Sequence, residues 1–148
     1  MVREASYWIE KLQLMPHPEG GYFKEIYRSL DVIPQAKIFQ GQRNTSTAIY
    51  YLLEKGDFSC FHRIQSDELW HHYEGGPVHI YYVKGDEIIT LKLGKDLSKG
   101  QSPMHMVPKN TWFASELAND TDYALMGCTV APGFDFADLQ MASTSDFH

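Results

Sequence analysis

The chain has 148 residues, and its 13 basic and 19 acidic side chains give a formal net charge of −6. No cluster of Lys or Arg provides the positive patch that nucleic acid or an anionic membrane requires, so neither is an expected partner. Since 43% of the residues are hydrophobic and 14% aromatic, the chain can bury one hydrophobic core, and we expect a single domain over residues 1–148.

The same composition bears on cellular location. No apolar run is as long as a membrane span, and the first residues, MVREASYWIEKLQL, carry too many charges for a secretory signal. Cys60 and Cys128 lack a paired spacing, which is typical of reduced thiols that pack as small buried hydrophobic side chains. We therefore expect a cytoplasmic protein.

An apolar stripe predicts one short helix at the N-terminus, over residues of about 4–14. The stripe recurs at i, i+3, i+4 and i+7 and consists of Ala5, Trp8, Ile9 and Leu12. This spacing places the four side chains on one helix face. Pro16 is expected to end the helix.

From residue 22 onward, short runs rich in Tyr, Ile, Val and Thr alternate with turn residues, which is typical of β-strands. They predict strands near 22–28, 45–53, 58–64, 69–74, 77–83, 87–93, 104–107, 111–117 and 123–130. Gly85-Asp86 is expected to form a tight hairpin, and Asn110 a left-handed turn. Many short strands without alternating helices indicate an all-β sandwich or barrel, with a core over about 20–132 and a frayed C-terminal tail.

The segment FHRIQSDELWHHYEGG, residues 61–76, contains three histidines and three acids close together. If two antiparallel strands flank its QSD turn, His62 and Glu68 meet across a hairpin. Alternation along the second strand places Trp70 and His72 on the same face as Glu68. A His–Glu pair suits either a base with an orienting carboxylate or two ligands of a metal ion.

These residues resemble the first motif of the cupins. The matching positions are Gly56, His62, Ile64, Glu68 and Gly75, with isoleucine in place of the motif's second histidine. The second cupin motif is degraded to Pro108, Asn110 and Phe113, with phenylalanine in place of its histidine. Two of the four usual metal ligands are therefore replaced by apolar residues.

Further segments extend the resemblance from about residue 6 to 140; they are HPEGGYF, STAIYYLL, FHRIQSDELWHHYEG and GCTVAPGFDF. Together they are similar to a group of small cupins of unassigned activity, related in fold to the dTDP-sugar epimerases. The resemblance implies a double-stranded β-helix, the cupin jelly roll, around a pocket. It also implies a homodimer that pairs through an edge strand.

The resemblance to the epimerases implies a function in acid/base catalysis. In those enzymes a histidine removes a proton next to a sugar ketone, a carboxylate orients the histidine, and a second acid returns a proton. This implies an isomerase or epimerase acting on a small sugar-like or carbonyl metabolite. His62 is the expected base, with Glu68 or His72 as its partner.

Several side chains are expected to bind the small-molecule ligand. Tyr50, Trp70 and Tyr82 would form aromatic walls against a sugar ring. Tyr22 and Lys24 lie on the strand that follows HPEGG, and we expect the segment HPEGGYF to fold over the pocket mouth. If Lys24 or Arg28 points into the pocket, an anionic substrate is favoured.

Two other functions remain open. The loss of two usual ligands favours a cupin that binds a small molecule without catalysis. A substitute ligand set, which would suit zinc, iron or manganese in a metal-dependent oxygenase, consists of His62, Glu68, His72 and Cys60. Because two usual ligand positions are apolar, we expect no metal and no other cofactor.

Overall fold

The computed structural model describes residues 3–34, 39 and 41–143. Its helix α1 spans Ala5–Lys11. The strands are β1 (Met15–Pro16), β2 (Tyr22–Arg28), β3 (Val32–Ile33), β4 (Arg43–Asn44), β5 (Thr47–Glu54), β6 (Phe58–Arg63), β7 (Asp67–Gly75), β8 (Val78–Lys84), β9 (Glu87–Leu93), β10 (Met104–Val107), β11 (Phe113–Leu117), β12 (Tyr123–Ala131) and β13 (Gln140–Met141). Short 3-10 helices occur at Leu97–Lys99 and Phe136–Asp138.

Within the described residues, two antiparallel sheets form the body of the fold. One has six strands in the order β1-β2-β5-β12-β7-β10, and the other has five in the order β13-β6-β11-β8-β9. Buried side chains from both sheets meet in one core cluster, which includes Tyr51, Trp70, Ile80, Phe113 and Met126. The predicted all-β class is confirmed, although the two sheets stay separate and do not close into a barrel.

All the predicted strands are present, with ends that differ by at most two residues. The hairpin at Gly85-Asp86 joins β8 to β9, and Asn110 has the expected left-handed backbone at φ 55°. The short strands β1, β3, β4 and β13 were not predicted, because two residues are too few to show a period of two.

The predicted helix is also present but ends earlier than expected. Gln13 adopts a positive φ of 57°, so the chain leaves the helix before it reaches Pro16. The apolar stripe of α1 packs on the outer face of the six-stranded sheet, where Trp8 Nε1 donates a hydrogen bond to Tyr123 Oη at 3.0 Å. None of the helices in the described ranges is long and apolar enough to cross a membrane.

The segment HPEGG forms a tight loop between β1 and β2. Gly20 has a φ of 111°, and a Cβ atom at this position would overlap the backbone oxygen of Phe58. The Gly20 carbonyl accepts a hydrogen bond from Tyr51 Oη at 2.5 Å, and the Glu19 carbonyl accepts one from Cys60 N at 2.8 Å. These contacts fix the loop against β5 and β6.

We expect Gly20→Ala to destabilise the protein more than Gly56→Ala. Both glycines have a positive φ, but a Cβ atom added at Gly56 would have no other atom within 4 Å, so only backbone strain of about 1–3 kcal/mol applies there. At Gly20 the overlap with Phe58 adds about 1–3 kcal/mol. Guanidinium unfolding of both variants measures the difference, and equal losses would contradict a close approach of this loop to β6.

Candidate functional site

A cavity of about 370 Å³ lies between the two sheets. Its inner polar groups are His17, Glu19, His62, Glu68 and Cys128. Its apolar walls are Phe23, Ile49, Ile64, Val130, Phe134 and Phe136. Its more exposed charged groups, at the rim, are Glu25, Arg28 and Asp135, and the buried Thr47 completes the lining. The cavity therefore combines a few convergent polar groups with apolar walls, which is the usual character of a small-molecule site.

His62 is 2% exposed and is bonded at both ring nitrogens. Nδ1 lies 2.6 Å from the carbonyl oxygen of Cys60, and Nε2 lies 2.9 Å from Glu19 Oε2. A carbonyl and a carboxylate can only accept hydrogen bonds, so both ring nitrogens must donate when Glu19 is ionised. The geometry therefore favours an imidazolium ring beside a carboxylate.

The electrostatics of the pair agree with this assignment. Burial opposes the charge on both groups, lowering the pKa of His62 and raising that of Glu19. Their mutual attraction and hydrogen bond outweigh burial, so the pKa of His62 lies above its usual 6.5 and that of Glu19 below its usual 4.5. The pair therefore favours the imidazolium form of His62, whereas a general base must be neutral.

A β-bulge in β6 turns His62 into the interior. Phe113 of β11 pairs with His62, and two residues later Ser115 pairs with Ser59, so three steps on β6 match two on β11. Ser59 and His62 are both buried as a result, while Cys60 is exposed. The expectation that Cys60 packs as a small buried side chain is therefore wrong.

Glu68 reaches the cavity from the opposite sheet. The expected hairpin pairing with His62 is wrong, because β6 belongs to the five-stranded sheet and β7 to the six-stranded sheet. The chain instead crosses between the sheets at the QSD turn, and both side chains line the same cavity. His62 and Glu68 thus converge across the interior of the sandwich.

Burial raises the pKa of Glu68 from 4.5 to about 7, and the negative charge of Glu19 adds to this shift. The charge of His62 and the polar hydrogens of Cys128 and Trp70 oppose it in part. Trp70 Nε1 nevertheless makes no hydrogen bond of regular geometry within the described structure. Glu68 is partly accessible to solvent and lines the cavity. It can therefore exchange protons near neutral pH.

His72 does not line the cavity. It is buried on β7, and its Nε2 donates to the carbonyl oxygen of Gly76 at 2.7 Å. The residue after it, Tyr73, bulges from the pairing with β12, because Met126 pairs with His72 and the next residue, Leu125, pairs with Glu74. The structure brings His62 and Glu68 to one cavity and leaves the third predicted catalytic residue near the far end of β7.

The predicted ligand-binding residues also lie elsewhere. Tyr22 and Tyr50 pack beneath α1 on the outer face of the six-stranded sheet, and Lys24 Nζ donates to Gln13 Oε1 at 3.1 Å. Trp70 and Tyr82 belong to the core cluster. The strand phase explains Tyr22 and Lys24, because Phe23 and Glu25 occupy the inward positions of β2, and Lys24 and Tyr22 the outward ones.

Glu19 and His17 are site residues that sequence reasoning missed. The segment HPEGGYF contributes His17, Glu19 and Phe23 to the lining of the cavity, while its expected position over the pocket mouth stays a prediction. His17 Nδ1 accepts a hydrogen bond from Glu19 N at 3.0 Å, and burial lowers the His17 pKa despite the opposing charge of Glu19. His17 is thus neutral. The sequence feature that could have indicated Glu19 is its position directly before two glycines, Gly20 and Gly21.

The residues of the cavity do not fit a cupin metal centre. Among the described residues, no three His, Cys, Asp or Glu side chains are arranged to hold a metal ion. The substitute set is not assembled, because His72 bonds Gly76 and Cys60 lies on the surface. That the protein uses no metal or other cofactor remains a prediction.

Two facing sheets around a His62–Glu68 cavity define a protein of the cupin class. The model of the family described as "Cupin superfamily (DUF985)" matches residues 6–142, and the chain belongs to this family. The predicted membership of a cupin group of unassigned activity, with a jelly-roll fold, is confirmed.

Three similar proteins come from distant organisms. An uncharacterised protein of Saccharomyces cerevisiae is 33% identical, over 88% of this chain and 71% of its own length. A solved hypothetical protein from Leishmania major is 30% identical with a TM-score of 0.90, and the match covers 98% of this chain and 90% of that one. A solved protein from Shewanella oneidensis is 35% identical with a TM-score of 0.89, covering 99% and 89%. The names of these three proteins state no activity.

We expect Glu19→Gln to reduce stability most between about pH 4.5 and 6.5. The His62 contribution is fully present below pH 6.5 and is lost as pH rises through its raised folded pKa. The Glu19 contribution is present above pH 4.5 and is lost as pH falls through its lowered folded pKa. Inside this window, breaking the buried pair costs about 3–5 kcal/mol, measurable by guanidinium unfolding at several pH values.

Glu25→Gln is the matched control for this prediction. It breaks the ion pair with Arg28, in which both side chains are more than one third exposed, so its cost is below about 1 kcal/mol. A loss for Glu19→Gln that does not vary between about pH 4 and 9 would show that the His62–Glu19 pair is not charged.

Proposed function

We propose that the cavity is the active site of an isomerase- or epimerase-like enzyme that moves a proton on a small carbonyl metabolite. One observation carries the proposal: two proton-carrying groups, the His62–Glu19 pair and Glu68, reach one apolar-walled cavity from opposite sheets. Inversion at a carbon requires a proton to leave one face and arrive at the other. Groups on facing sheets are placed for that task.

Glu68 is the base in this proposal. With a pKa of about 7, it is ionised and protonated in similar amounts at neutral pH, which suits a group that both takes and returns protons. Its carboxylate takes the proton from the carbon next to the carbonyl. The C–H electrons move into the carbon–carbon bond and give an enolate.

His62 is the acid. Its Nε2–H, which Glu19 accepts in the free protein, is donated to the other face of the enolate carbon, and a C–H bond of inverted configuration forms. His62 is then neutral and Glu68 protonated, and exchange of one proton through solvent restores both. Glu19 is a positioning residue, because it holds the imidazole and favours its charged form. These roles reverse the sequence-based expectation of His62 as base.

The walls support this chemistry physically. Phe23, Ile49 and Ile64 line the cavity, and apolar walls that exclude water strengthen the interaction of an enolate with nearby charges. A volume of about 370 Å³ lies at the small end of the range of ligand sites, which suits a metabolite of few carbon atoms.

A second candidate function is ligand binding without catalysis. The observation that favours it is the engagement of both His62 ring nitrogens, with Cys60 and Glu19. A histidine held in this way can be a structural support of the pocket. The two functions share a ligand site and differ in whether a carbon–hydrogen bond breaks.

Exchange of substrate hydrogen with solvent separates the two functions. We expect the wild-type protein, incubated in D2O with a panel of small ketones and aldoses, to replace hydrogen next to the carbonyl of at least one compound, as followed by proton NMR. Glu68→Gln removes the base and should slow this exchange at least about 100-fold. His62→Gln should slow inversion more than exchange, because Glu68 alone can still remove the proton.

Glu74→Gln is the control, since Glu74 lies on the same strand but is exposed. It should exchange at the wild-type rate. If a panel compound raises the melting temperature while exchange is absent in the wild-type protein, the cavity binds without catalysis.

We further propose a cytoplasmic homodimer that pairs through the outer edge of β2. Among the described strands, only β1 lies beside that edge, and it pairs with Tyr22 and Phe23 alone. Beyond them Ile26 and Tyr27 are 46% and 54% exposed, and an open apolar edge favours strand addition. Sedimentation velocity should give twice the chain mass, and Ile26→Lys should shift it to the monomer.

A further inference from the structure

The guanidinium group of Arg28, the cation at the cavity rim, is already hydrogen-bonded to other groups of the protein. Arg28 Nε and Nη2 donate to the Glu25 carboxylate at 3.1 and 2.5 Å. Nη1 donates to Asn44 Oδ1 at 2.8 Å, and Nη2 also to the carbonyl oxygen of Phe134 at 3.0 Å. Four of the five N–H groups of the guanidinium are thus used, so Arg28 lacks the free fork that binds a carboxylate or phosphate.

The other charges of the cavity leave an excess of negative charge. Carboxylates at Glu19, Glu25 and Asp135 face two cations, His62 and Arg28. Asp135 also lies 3.9 Å from Arg43, whose charge is balanced by its closer ion pair with Asp138. This gives a net charge of about −1 before any contribution from Glu68, and His17 adds none. A cleft of one sign of charge with apolar walls raises the local concentration of ligands of opposite sign.

The wall of the cavity is rich in aromatic faces. Phe134 and Phe136 pack edge to face with ring centroids 5.0 Å apart, and Phe23 packs against His17 at 4.5 Å. Aromatic faces beside carboxylates are the chemistry that binds an ammonium group. The negative charge and the aromatic wall therefore indicate the same kind of ligand.

We propose that the cavity takes a small carbonyl compound that bears a protonated amino group, such as an amino sugar or an amino ketone, and disfavours anionic metabolites. This rests on the proposed function only in taking the cavity as the ligand site. It reverses the expectation that an inward-facing Arg28 favours an anionic substrate.

Charge selectivity can be measured without knowing the substrate. Ile49 lies on the cavity wall, and Ile49→Cys in a Cys60→Ser/Cys128→Ser background places a single thiol there. Its reaction rates with trimethylammonioethyl and sulfonatoethyl methanethiosulfonate give a cation-to-anion ratio. The exposed thiol of Cys60 in the Cys128→Ser protein provides the surface reference.

We expect the ratio in the cavity to exceed the surface ratio by on the order of tenfold. Adding Glu25→Gln and Asp135→Asn should return it to within about threefold of the surface value. A cavity ratio equal to or below the surface ratio would overturn the proposal. If Ile49→Cys does not fold, Val130→Cys places the thiol on the same wall.

Protection of the thiol then tests the ligand class with three matched three-carbon ketones. Aminoacetone should slow modification by a neutral thiol reagent more than hydroxyacetone, and hydroxyacetone more than pyruvate. The reverse order contradicts an amino-bearing ligand. None of these measurements requires turnover, so the two proposals can fail separately. Cation selectivity without hydrogen exchange would reject the enzymatic function but not the ligand class. Hydrogen exchange on an anionic compound would reject the ligand class but not the enzymatic function.

Discussion

The buried ion pair between His62 and Glu19 is the interaction on which the site depends. It joins a loop near the N-terminus to β6, and it exists only because Gly20 lets the loop backbone approach Phe58 closely enough to aim Glu19 inward. Two buried charges are costly unless each is paired and hydrogen-bonded. The Cys60 carbonyl supplies the remaining partner of the ring, so the pair is satisfied and its orientation is fixed.

The pair also sets the proton affinity of the group that faces it. Burial is the largest cause of the raised pKa of Glu68, and the negative charge of Glu19 raises it further while His62 lowers it. The three groups therefore titrate as a coupled system, in which the protonation of one changes the others. In the proposed mechanism, the cation on one sheet is the acid, and the carboxyl group on the other sheet, with a pKa of about 7, is the base.

Features that arise from local periodicity were predictable from the sequence, whereas those that depend on long-range contact were missed. Alternation located the strands, and motif spacing indicated that His62 and Glu68 lie at one pocket. Neither could show the bulge that separates Cys60 from His62, because a bulge is visible only in the pairing with β11. The phase of β2 was likewise ambiguous, since both faces are covered: Tyr22 lies beneath α1 and Phe23 lines the cavity. Glu19 was missed because 43 positions separate it from His62.

The two departures from the cupin motif have direct structural consequences. Phe113 stands where the motif has its last histidine, and its ring lies 4.1 Å from that of His62 between centroids. Ile64 stands at the other replaced position and lines the cavity. This chain therefore has apolar side chains at two positions where metal-binding cupins have nitrogen ligands. In addition, Nε2 of His62, the ring nitrogen that could face a ligand, is hydrogen-bonded to Glu19. A histidine that binds metal must be neutral; here the carbonyl and the carboxylate at its two ring nitrogens favour its cation, which is the form that the proposed acid role requires.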